Sequence, residues 1–184
     1  LCPYDSCRLI AINLFSYVKD PFTPKAKFDF DLFRQHAHLS QRIMDDIIDL
    51  EQEKIDAIIA KIDADPEGDE LKQVERNLWA NIRHKTGEGR RTGIGITAEG
   101  DMLAALGLRY GSDEATEFSV NVHRTLAIEA YRASTKMAAE RGAFPIYSAE
   151  REKNNPFISR MREADPEMVA EMEKTGRRNI ALLT

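Results

Sequence analysis

The sequence predicts a helix-rich α/β fold. Apolar, strand-like runs lie at residues 8–18, 91–97 and 180–184, and long helical segments separate them. Helical crossovers between apolar strands are typical of a parallel sheet. Three strands and some six helices look like part of a sheet or barrel whose neighbouring strands are missing. Residues 1–184 are therefore expected to be a single internal piece of a larger domain.

The first strand is predicted at residues 8–18, which are almost continuously apolar and partly β-branched. Such a run suits a strand that is buried on both faces, although a short buried helix has a similar pattern. Pro21 and Pro24 then end the regular structure, because proline fixes φ and lacks an N–H donor.

Residues 30–86 predict an antiparallel helical hairpin. Asp31 is the predicted N-cap of its first helix, which ends at residues 65–68, and the second helix ends at residues 87–89. In each helix, apolar residues recur at three- and four-residue spacing on one face. These residues are Ile43, Met44, Ile47, Ile48, Ile55, Ile58, Ile59 and Ile62 in the first helix, and Leu71, Val74, Leu78 and Ile82 in the second.

The second half of the chain is also predicted to be mostly helical. Ser112 is the predicted cap of a long helix that Gly142 and Pro145 end, and acidic residues in its first turn match the helix dipole. Pro166 is predicted to begin a last helix that reaches about Lys174. The other predicted features are a strand at 91–97, a short helix at 98–106, a break at 154–156 and a strand at 180–184.

Composition excludes several classes of protein. No apolar run approaches the ~18 residues of a membrane span, so a membrane protein is not expected. The net charge is −5, from 26 Lys and Arg against 31 Asp and Glu, so nucleic acid is not expected as a partner. Two cysteines are too few for a disulfide framework and fit the reducing cytoplasm, where we expect this protein to be located.

Both ends of the sequence predict that the chain is cut from a longer protein. It begins at Leu1 without a methionine or a signal segment, and it stops on the apolar run 180–184. An unpaired apolar strand at a terminus favours aggregation, so natural chains seldom end on one.

Cys2 and Cys7 are the only thiols, and their spacing predicts no metal site. A zinc site needs about four ligands, and neither a second cysteine pair nor a nearby histidine is present. A disulfide between the two is compatible with the spacing, which does not test its geometry. Spacing alone favours buried, inert cysteines, with a redox or catalytic thiol as the alternative.

Gly93, Gly95 and Gly100 suggest a nucleotide-binding loop, but their spacing does not support one. The spacing lacks the third glycine of the dinucleotide fingerprint and the lysine of a P-loop. Because Gly93 and Gly95 lie inside the predicted strand, close packing of the backbone is the favoured interpretation.

The remaining charged groups are expected to be structural or solvated. His36 and His38 are two residues apart on a helix and cannot share a metal ion. The four arginines of the two Gly-Arg-Arg repeats are candidates for phosphate binding, although capping or ion pairing is favoured. The acidic run of the first helix predicts a solvated surface rather than paired catalytic carboxylates. These sets are His36, His38, His84 and His123; Arg90, Arg91, Arg177 and Arg178; and Asp45, Asp46, Asp49, Glu51, Glu53 and Asp56.

Four sequence strings resemble the catalytic subunits of ribonucleotide reductases. Residues 3–14, PYDSCRLIAINL, are similar to the family's P-Y-E-S-C-N-L-G-S-I-N-L. The other three are GRRTGIGIT at 89–97, ERGAFP at 140–145 and RNIALLT at 178–184. They occur in the family's order and span nearly all the chain, whereas residues 30–86 are less diagnostic.

The resemblance implies that the chain belongs to the ten-stranded α/β barrel of this family. It also implies the family's activity, the conversion of ribonucleotides to deoxyribonucleotides by thiyl-radical chemistry. Cys7 matches one member of the redox-active cysteine pair, whose partner is expected outside this chain. The radical cysteine and the phosphate loop are also expected outside it, so the chain alone is expected to be inactive. Cys2 has no equivalent in the family pattern.

The resemblance also implies cofactors and partners for the full enzyme. The spelling of residues 3–7 is most similar to the adenosylcobalamin-dependent class, and a diiron partner subunit is the alternative. A ribonucleoside di- or triphosphate substrate, a thioredoxin-like dithiol reductant and a homodimer are expected. Outside the family, the alternative is a non-enzymatic helical interaction domain that uses the face from Ile43 to Ile62.

Overall fold

A computed structural model describes residues 2–184 of the chain. Leu1, at which the sequence begins without a methionine, lies outside the described residues. The first strand, β1, spans Arg8–Asn13 and is followed by a 3-10 turn at Leu14–Tyr17. The short strands β2, Val18–Lys19, and β3, Lys27–Phe28, then pair with each other in antiparallel fashion.

The prediction of one strand over residues 8–18, buried on both faces, is wrong in two respects. Asn13 ends the strand, because its side chain accepts a hydrogen bond from the Phe15 N–H at 3.1 Å and caps the 3-10 turn. The turn buries Leu14 and Tyr17. Within β1 the side chains alternate between the helices and an open face, and Leu9 on that open face is 68% exposed.

Helix α1 spans Phe30–Ala64 and helix α2 spans Asp69–Gly89, and the two pack along each other. The N-cap of α1 is Asp29, not Asp31 as predicted. The Asp29 carboxylate accepts from the Leu32 N–H at 3.1 Å, whereas Asp31 lies in the first turn and pairs with Arg34. Helix α2 ends at Arg90, which takes a left-handed conformation with φ of 46°.

Strand β4, Thr92–Thr97, confirms the predicted second strand and lies parallel to β1, with Arg8 opposite Thr92. The predicted third strand is not formed as a regular element. Residues 181–184 run along the other edge of β4, where the Ile94 N–H donates to the Leu182 carbonyl at 2.8 Å, but only one parallel bridge forms, between Ile94 and Leu183.

The remaining helices pack on the 3-10 turn, on α1 and on one another. Helix α3 spans Glu99–Ala105 and packs on the 3-10 turn. Helix α4, Asp113–Arg141, begins at Ser112, whose hydroxyl accepts from the Ala115 N–H, so the predicted cap is confirmed. The predicted break at 154–156 separates two helices that were not predicted. They are α5, Ala149–Glu152, and α6, Pro156–Ala164; the predicted last helix is α7, Pro166–Thr175.

The hydrophobic core lies between the sheet and helices α1 and α4. Ile12 and Ile94 point into it from the strands, Phe33 and Met44 from α1, and Val122 from α4. Among residues 2–184, no helix combines the length and the apolar character needed to cross a membrane. The arrangement leaves the opposite face of β1 and β4 without helices, and Cys7 lies at the edge of that face.

Candidate functional site

Cys7 directly precedes β1 and is half-buried beside Gly93 of β4. A Cβ atom added to Gly93 would lie 3.3 Å from the Cys7 Sγ and 2.6 Å from the Leu9 Cδ2, and it would overlap the side chain of Thr184. A Cβ atom on Gly95 would lie 2.5 Å from the Thr184 Oγ1. These glycines therefore allow close packing, as predicted. We call the surface formed by Cys7, Leu9, Gly93, Gly95 and Thr184 the glycine face.

The Cys7 thiol is free, and its surroundings keep it protonated at neutral pH. Burial raises its pKa above the ordinary value of 9.0, and the charge of Asp5 acts in the same direction. The charges of Arg91 and Arg8 lower the pKa but do not cancel the effect of burial. Cys2 is also a free thiol, and it is exposed, so the interpretation of both cysteines as buried is wrong for Cys2.

Two ion pairs hold the segment that carries Cys7. Asp5 accepts from the Nε of Arg91, the residue directly before β4, over 2.9 Å. Arg8 pairs with Glu51 of α1 and also donates to the Arg91 carbonyl at 3.4 Å. The thiol thus lies between one ion pair toward β4 and another toward α1.

A buried carboxylate lies beneath the sheet, at Asp45 of α1. Its Oδ1 accepts from the Arg90 Nε at 2.8 Å and from the Asn179 Nδ2 at 2.9 Å. Its Oδ2 accepts from the Arg178 Nε at 3.2 Å and from the Arg141 Nη1 at 3.4 Å. Burial alone would raise the pKa of Asp45, but the hydrogen bonds and the charges of Arg90 and Arg178 hold it below its ordinary value.

The prediction that the acidic run is a solvated surface is therefore wrong for Asp45, which is fully buried. Asp49 pairs with Arg90, and Asp46 pairs with Arg141. The carboxylates of Asp45, Asp46 and Asp49 lie within 4.8 Å of one another, a spacing that a cation could bridge. Because arginines already occupy the space between them, the group is a structural ion-pair network.

Asn179 connects this network to the sheet and is a residue for which the sequence patterns assigned no role. Its Oδ1 accepts from the Gln41 Nε2 at 2.8 Å and from the Ser134 Oγ at 2.9 Å. Gln41 also exchanges hydrogen bonds with the Thr92 hydroxyl. Isolated Gln, Ser and Asn residues carry no periodic signal, so only the similarity of residues 178–184 to a family string marked this position.

The four arginines of the Gly-Arg-Arg repeats all form ion pairs, which confirms the favoured interpretation. Arg177 is buried, pairs with Glu152 and lies 5.5 Å from the centre of the Phe144 ring, with two tyrosine rings beside it. Arg90 and Arg178 converge on the same carboxylate. Arg91 is the one whose partner, Asp5, lies on the Cys7 segment.

Comparison with known proteins assigns the family. The family model described as ribonucleotide reductase, barrel domain, matches residues 2–184. The chain belongs to this family. It is 30% identical over 151 residues to a vitamin B12-dependent ribonucleoside-diphosphate reductase of Mycobacterium tuberculosis, covering 82% of the chain and 18% of that relative.

Two further relatives extend this ribonucleotide reductase assignment. A vitamin B12-dependent ribonucleoside-diphosphate reductase of Thermoplasma acidophilum is 33% identical over 154 residues, covering 83% of the chain and 16% of the relative. A ribonucleoside-diphosphate reductase subunit alpha of Chlamydia pneumoniae is 28% identical over 145 residues, covering 79% of the chain and 11% of the relative. The chain thus spans less than a fifth of the length of these relatives.

The described part of this reductase barrel chain places no histidine on the glycine face. An imidazole is the commonest side-chain ligand of a metal ion in proteins. The His36 Nδ1 lies 3.0 Å from the Tyr17 hydroxyl, and burial lowers the pKa of His38. His84 and His123 face Glu88 and Glu99. All four lie on helices α1, α2 and α4 rather than on the glycine face.

Proposed function

We propose that this chain is part of the ten-stranded catalytic barrel of a ribonucleotide reductase large subunit, which converts ribonucleotides to deoxyribonucleotides. The family match over residues 2–184 supports the proposal. The parallel pairing of β1 with β4, and the parallel alignment of residues 181–184 with β4, supports a place in a parallel barrel. The chain alone is expected to be inactive.

Cys7 is proposed as one member of the redox-active cysteine pair. Its thiol and that of a second cysteine outside the described residues supply two electrons and two protons. The ribose 2′-hydroxyl leaves as water, a hydrogen takes its place on C2′, and the two sulfurs join as a disulfide. A thiyl radical on another cysteine takes the 3′-hydrogen and later returns it, so the radical is regenerated and supplies no net electrons or protons.

The observation that carries this proposal is the state and position of the Cys7 thiol. It lies at the beginning of a parallel strand, on the sheet face that has no helices, and it has no disulfide partner among residues 2–184. Because burial raises its pKa, the group is a thiol and not a thiolate at neutral pH. A thiol is the form that can donate hydrogen to the substrate.

The remaining parts of the proposal concern the full enzyme. Relatives named vitamin B12-dependent support adenosylcobalamin as its cofactor, which would supply the radical, with a diiron partner subunit as the alternative. Names ending in ribonucleoside-diphosphate reductase favour a diphosphate over a triphosphate substrate. A thioredoxin-like dithiol would reduce the disulfide, and a cytoplasmic location fits such a reductant.

A homodimer is also proposed, and the hairpin of α1 and α2 supports it. Leu71, Val74 and Leu78 are exposed on one face of α2, and Ile43 and Ile47 are partly exposed on α1. Apolar stripes of this kind mark interaction surfaces. The same stripe would serve the alternative, a non-enzymatic helical interaction domain, but that alternative assigns no role to the match over the whole chain.

The experiment that tests the proposal is a Cys7→Ser substitution in the full-length enzyme, with Cys2→Ser as the matched control. With a dithiol as reductant, Cys7→Ser is expected to lower multiple-turnover reduction by at least about 100-fold, because no disulfide can form and be recycled. Cys2→Ser is expected to retain the wild-type rate. Wild-type turnover in Cys7→Ser would refute the redox role of Cys7.

A further inference from the structure

Asp5 lies two residues before the proposed redox cysteine in the chain. It forms an ion pair with Arg91, which lies directly before β4. The Asp5 carboxylate is 94% buried, since its side chain is only 6% exposed, and its Oδ2 accepts from the Arg91 Nε at 2.9 Å. Its Oδ1 accepts from the Ser6 N–H at 2.9 Å. Both oxygens are therefore engaged, one toward β4 and one toward the Cys7 segment itself.

The turn before Asp5 needs such an anchor. The Asp5 N–H donates to the Cys2 carbonyl at 3.1 Å, which closes a turn in which Tyr4 has φ of 65°. A residue other than glycine is conformationally disfavoured in this left-handed region. Because Tyr4 is itself exposed, packing of its ring does not fix the turn, and the contact between Asp5 and Arg91 links the turn to the residue before β4.

The charges around Cys7 come from three elements. Arg91 faces the thiol from the beginning of β4, Arg8 from β1 and Asp5 from the preceding segment. Glu51 of α1 faces it indirectly, because it pairs with Arg8. Each guanidinium near the thiol therefore has its own carboxylate partner.

We propose that Asp5 and Arg91 are positioning residues for Cys7: their ion pair fixes the thiol at the edge of the glycine face and neutralises a guanidinium beside it. This rests on the proposed function in that the positioned thiol is the hydrogen donor. With the pair intact, the thiol keeps one orientation next to Gly93. Without Asp5, the uncompensated charge of Arg91 would lower the pKa of Cys7, and the segment that orients the thiol would lose its contact with Arg91.

Substitutions of Asp5 and of Arg91 are predicted to shift the pKa of Cys7 in opposite directions. Asp5→Asn removes a negative charge and leaves Arg91 uncompensated, so the pKa of Cys7 should fall. Arg91→Gln removes a positive charge, so the pKa of Cys7 should rise. A purely structural role predicts the same sign for both, because either substitution would loosen the segment and expose the thiol.

The experiment measures the alkylation rate of Cys7 by iodoacetamide from pH 7 to 10 in the full-length protein, with the Cys7 peptide followed by mass spectrometry. At pH 8, Asp5→Asn is expected to react about two- to fivefold faster than wild type and Arg91→Gln about two- to fivefold slower. The charge-preserving variants Asp5→Glu and Arg91→Lys should stay near the wild-type profile. Asp56→Asn, which breaks an exposed ion pair on the hairpin, is the matched control and should change nothing.

The result that would overturn the proposal is faster alkylation in both Asp5→Asn and Arg91→Gln, or an unchanged profile in both. If either of these variants fails to fold, the conservative variants decide: a shifted pH profile in Asp5→Glu or Arg91→Lys also overturns it. Turnover of Cys7→Ser in the same preparation reports separately on the proposed function. Unchanged turnover there refutes the redox role of Cys7, whereas the alkylation profiles decide the role of the ion pair.

Discussion

Substitution of Asp45 by asparagine tests the buried ion-pair network. Asparagine keeps the size of the side chain and one oxygen acceptor but removes the negative charge that faces Arg90 and Arg178. Arg90 is 7% exposed, so its charge would lose its buried partner and keep only Asp49, which is half-exposed. Breaking one side of a buried ion pair costs about 3–5 kcal/mol. Because Asp49 remains, we expect a loss near the lower limit, about 3 kcal/mol.

The assay is urea unfolding of the 184-residue chain followed by circular dichroism. A loss of about 3 kcal/mol corresponds to a midpoint lower by roughly 1–2 M urea for a chain of this size. Asp56→Asn is the matched control. Asp56 also pairs with an arginine, Arg83, but both side chains are about half-exposed, so its midpoint should stay near that of the wild type. A midpoint in Asp45→Asn equal to that of the control would refute the reasoning.

The same network predicts how stability depends on pH. The pKa of Asp45 is lower in the folded chain than its ordinary value of 3.8, so the folded state binds this proton less readily than the unfolded state. The stabilisation from Asp45 is therefore complete above about pH 4 and is lost as the pH falls below that value. The difference between wild type and Asp45→Asn should shrink over the same range.

Two further substitutions test the packing around the site by thermal unfolding. Gly93→Ala is expected to destabilise the chain by about 1–3 kcal/mol, because the added methyl group overlaps Thr184. Gly100→Ala is the control: an added Cβ atom there has no heavy atom within 4 Å, so the substitution should stabilise the helix by up to about 1 kcal/mol. Equal effects of the two substitutions would contradict the account. Arg177→Lys should cost about 2 kcal/mol, because lysine cannot keep contact with three aromatic rings and a carboxylate together. Arg34→Lys, where the half-exposed arginine lies over the single ring of Phe30, should leave the midpoint unchanged, and a similar loss in both lysine variants would argue against this role of Arg177.

Local sequence patterns predicted the long helices, because caps and apolar periodicity act within a few residues, but they missed the short helices α5 and α6. Ser112 was correctly predicted as the N-cap of α4. Asp29 and Asp31 are equally good cap residues, and only the backbone geometry decides which carboxylate meets the Leu32 N–H. Asn13 had the same ambiguity: inside an apolar run it looks like a strand residue, but its side chain caps a turn.

Long-range contacts were beyond the sequence patterns. Asp45 lies off the isoleucine face of α1, which predicts exposure to water. It is buried because Arg90 and Arg178 reach it from 45 and 133 residues away in the chain. The periodicity of one helix contains no information about which side chains arrive from such distances.

The last predicted strand fails for a related reason. Residues 180–184 are apolar enough for a strand, and their backbone does run parallel to β4. The Arg177 side chain, however, donates to the carbonyls of Asn179 at 3.0 Å and Ile180 at 3.2 Å. The carbonyls of Asn179 and Ile180 are therefore engaged by a side chain and not by β4, and the run that follows forms one bridge, at Leu183.

The most direct test of the redox role of Cys7 is a single turnover without external reductant. The reduced full-length enzyme is mixed with substrate, and free thiols are then alkylated and identified by mass spectrometry. The account predicts that the Cys7 peptide escapes alkylation because it is held in a disulfide, with about one deoxynucleotide formed per active site, while Cys2 is alkylated as before. A Cys7 that is still fully alkylated after deoxynucleotide has formed would contradict it.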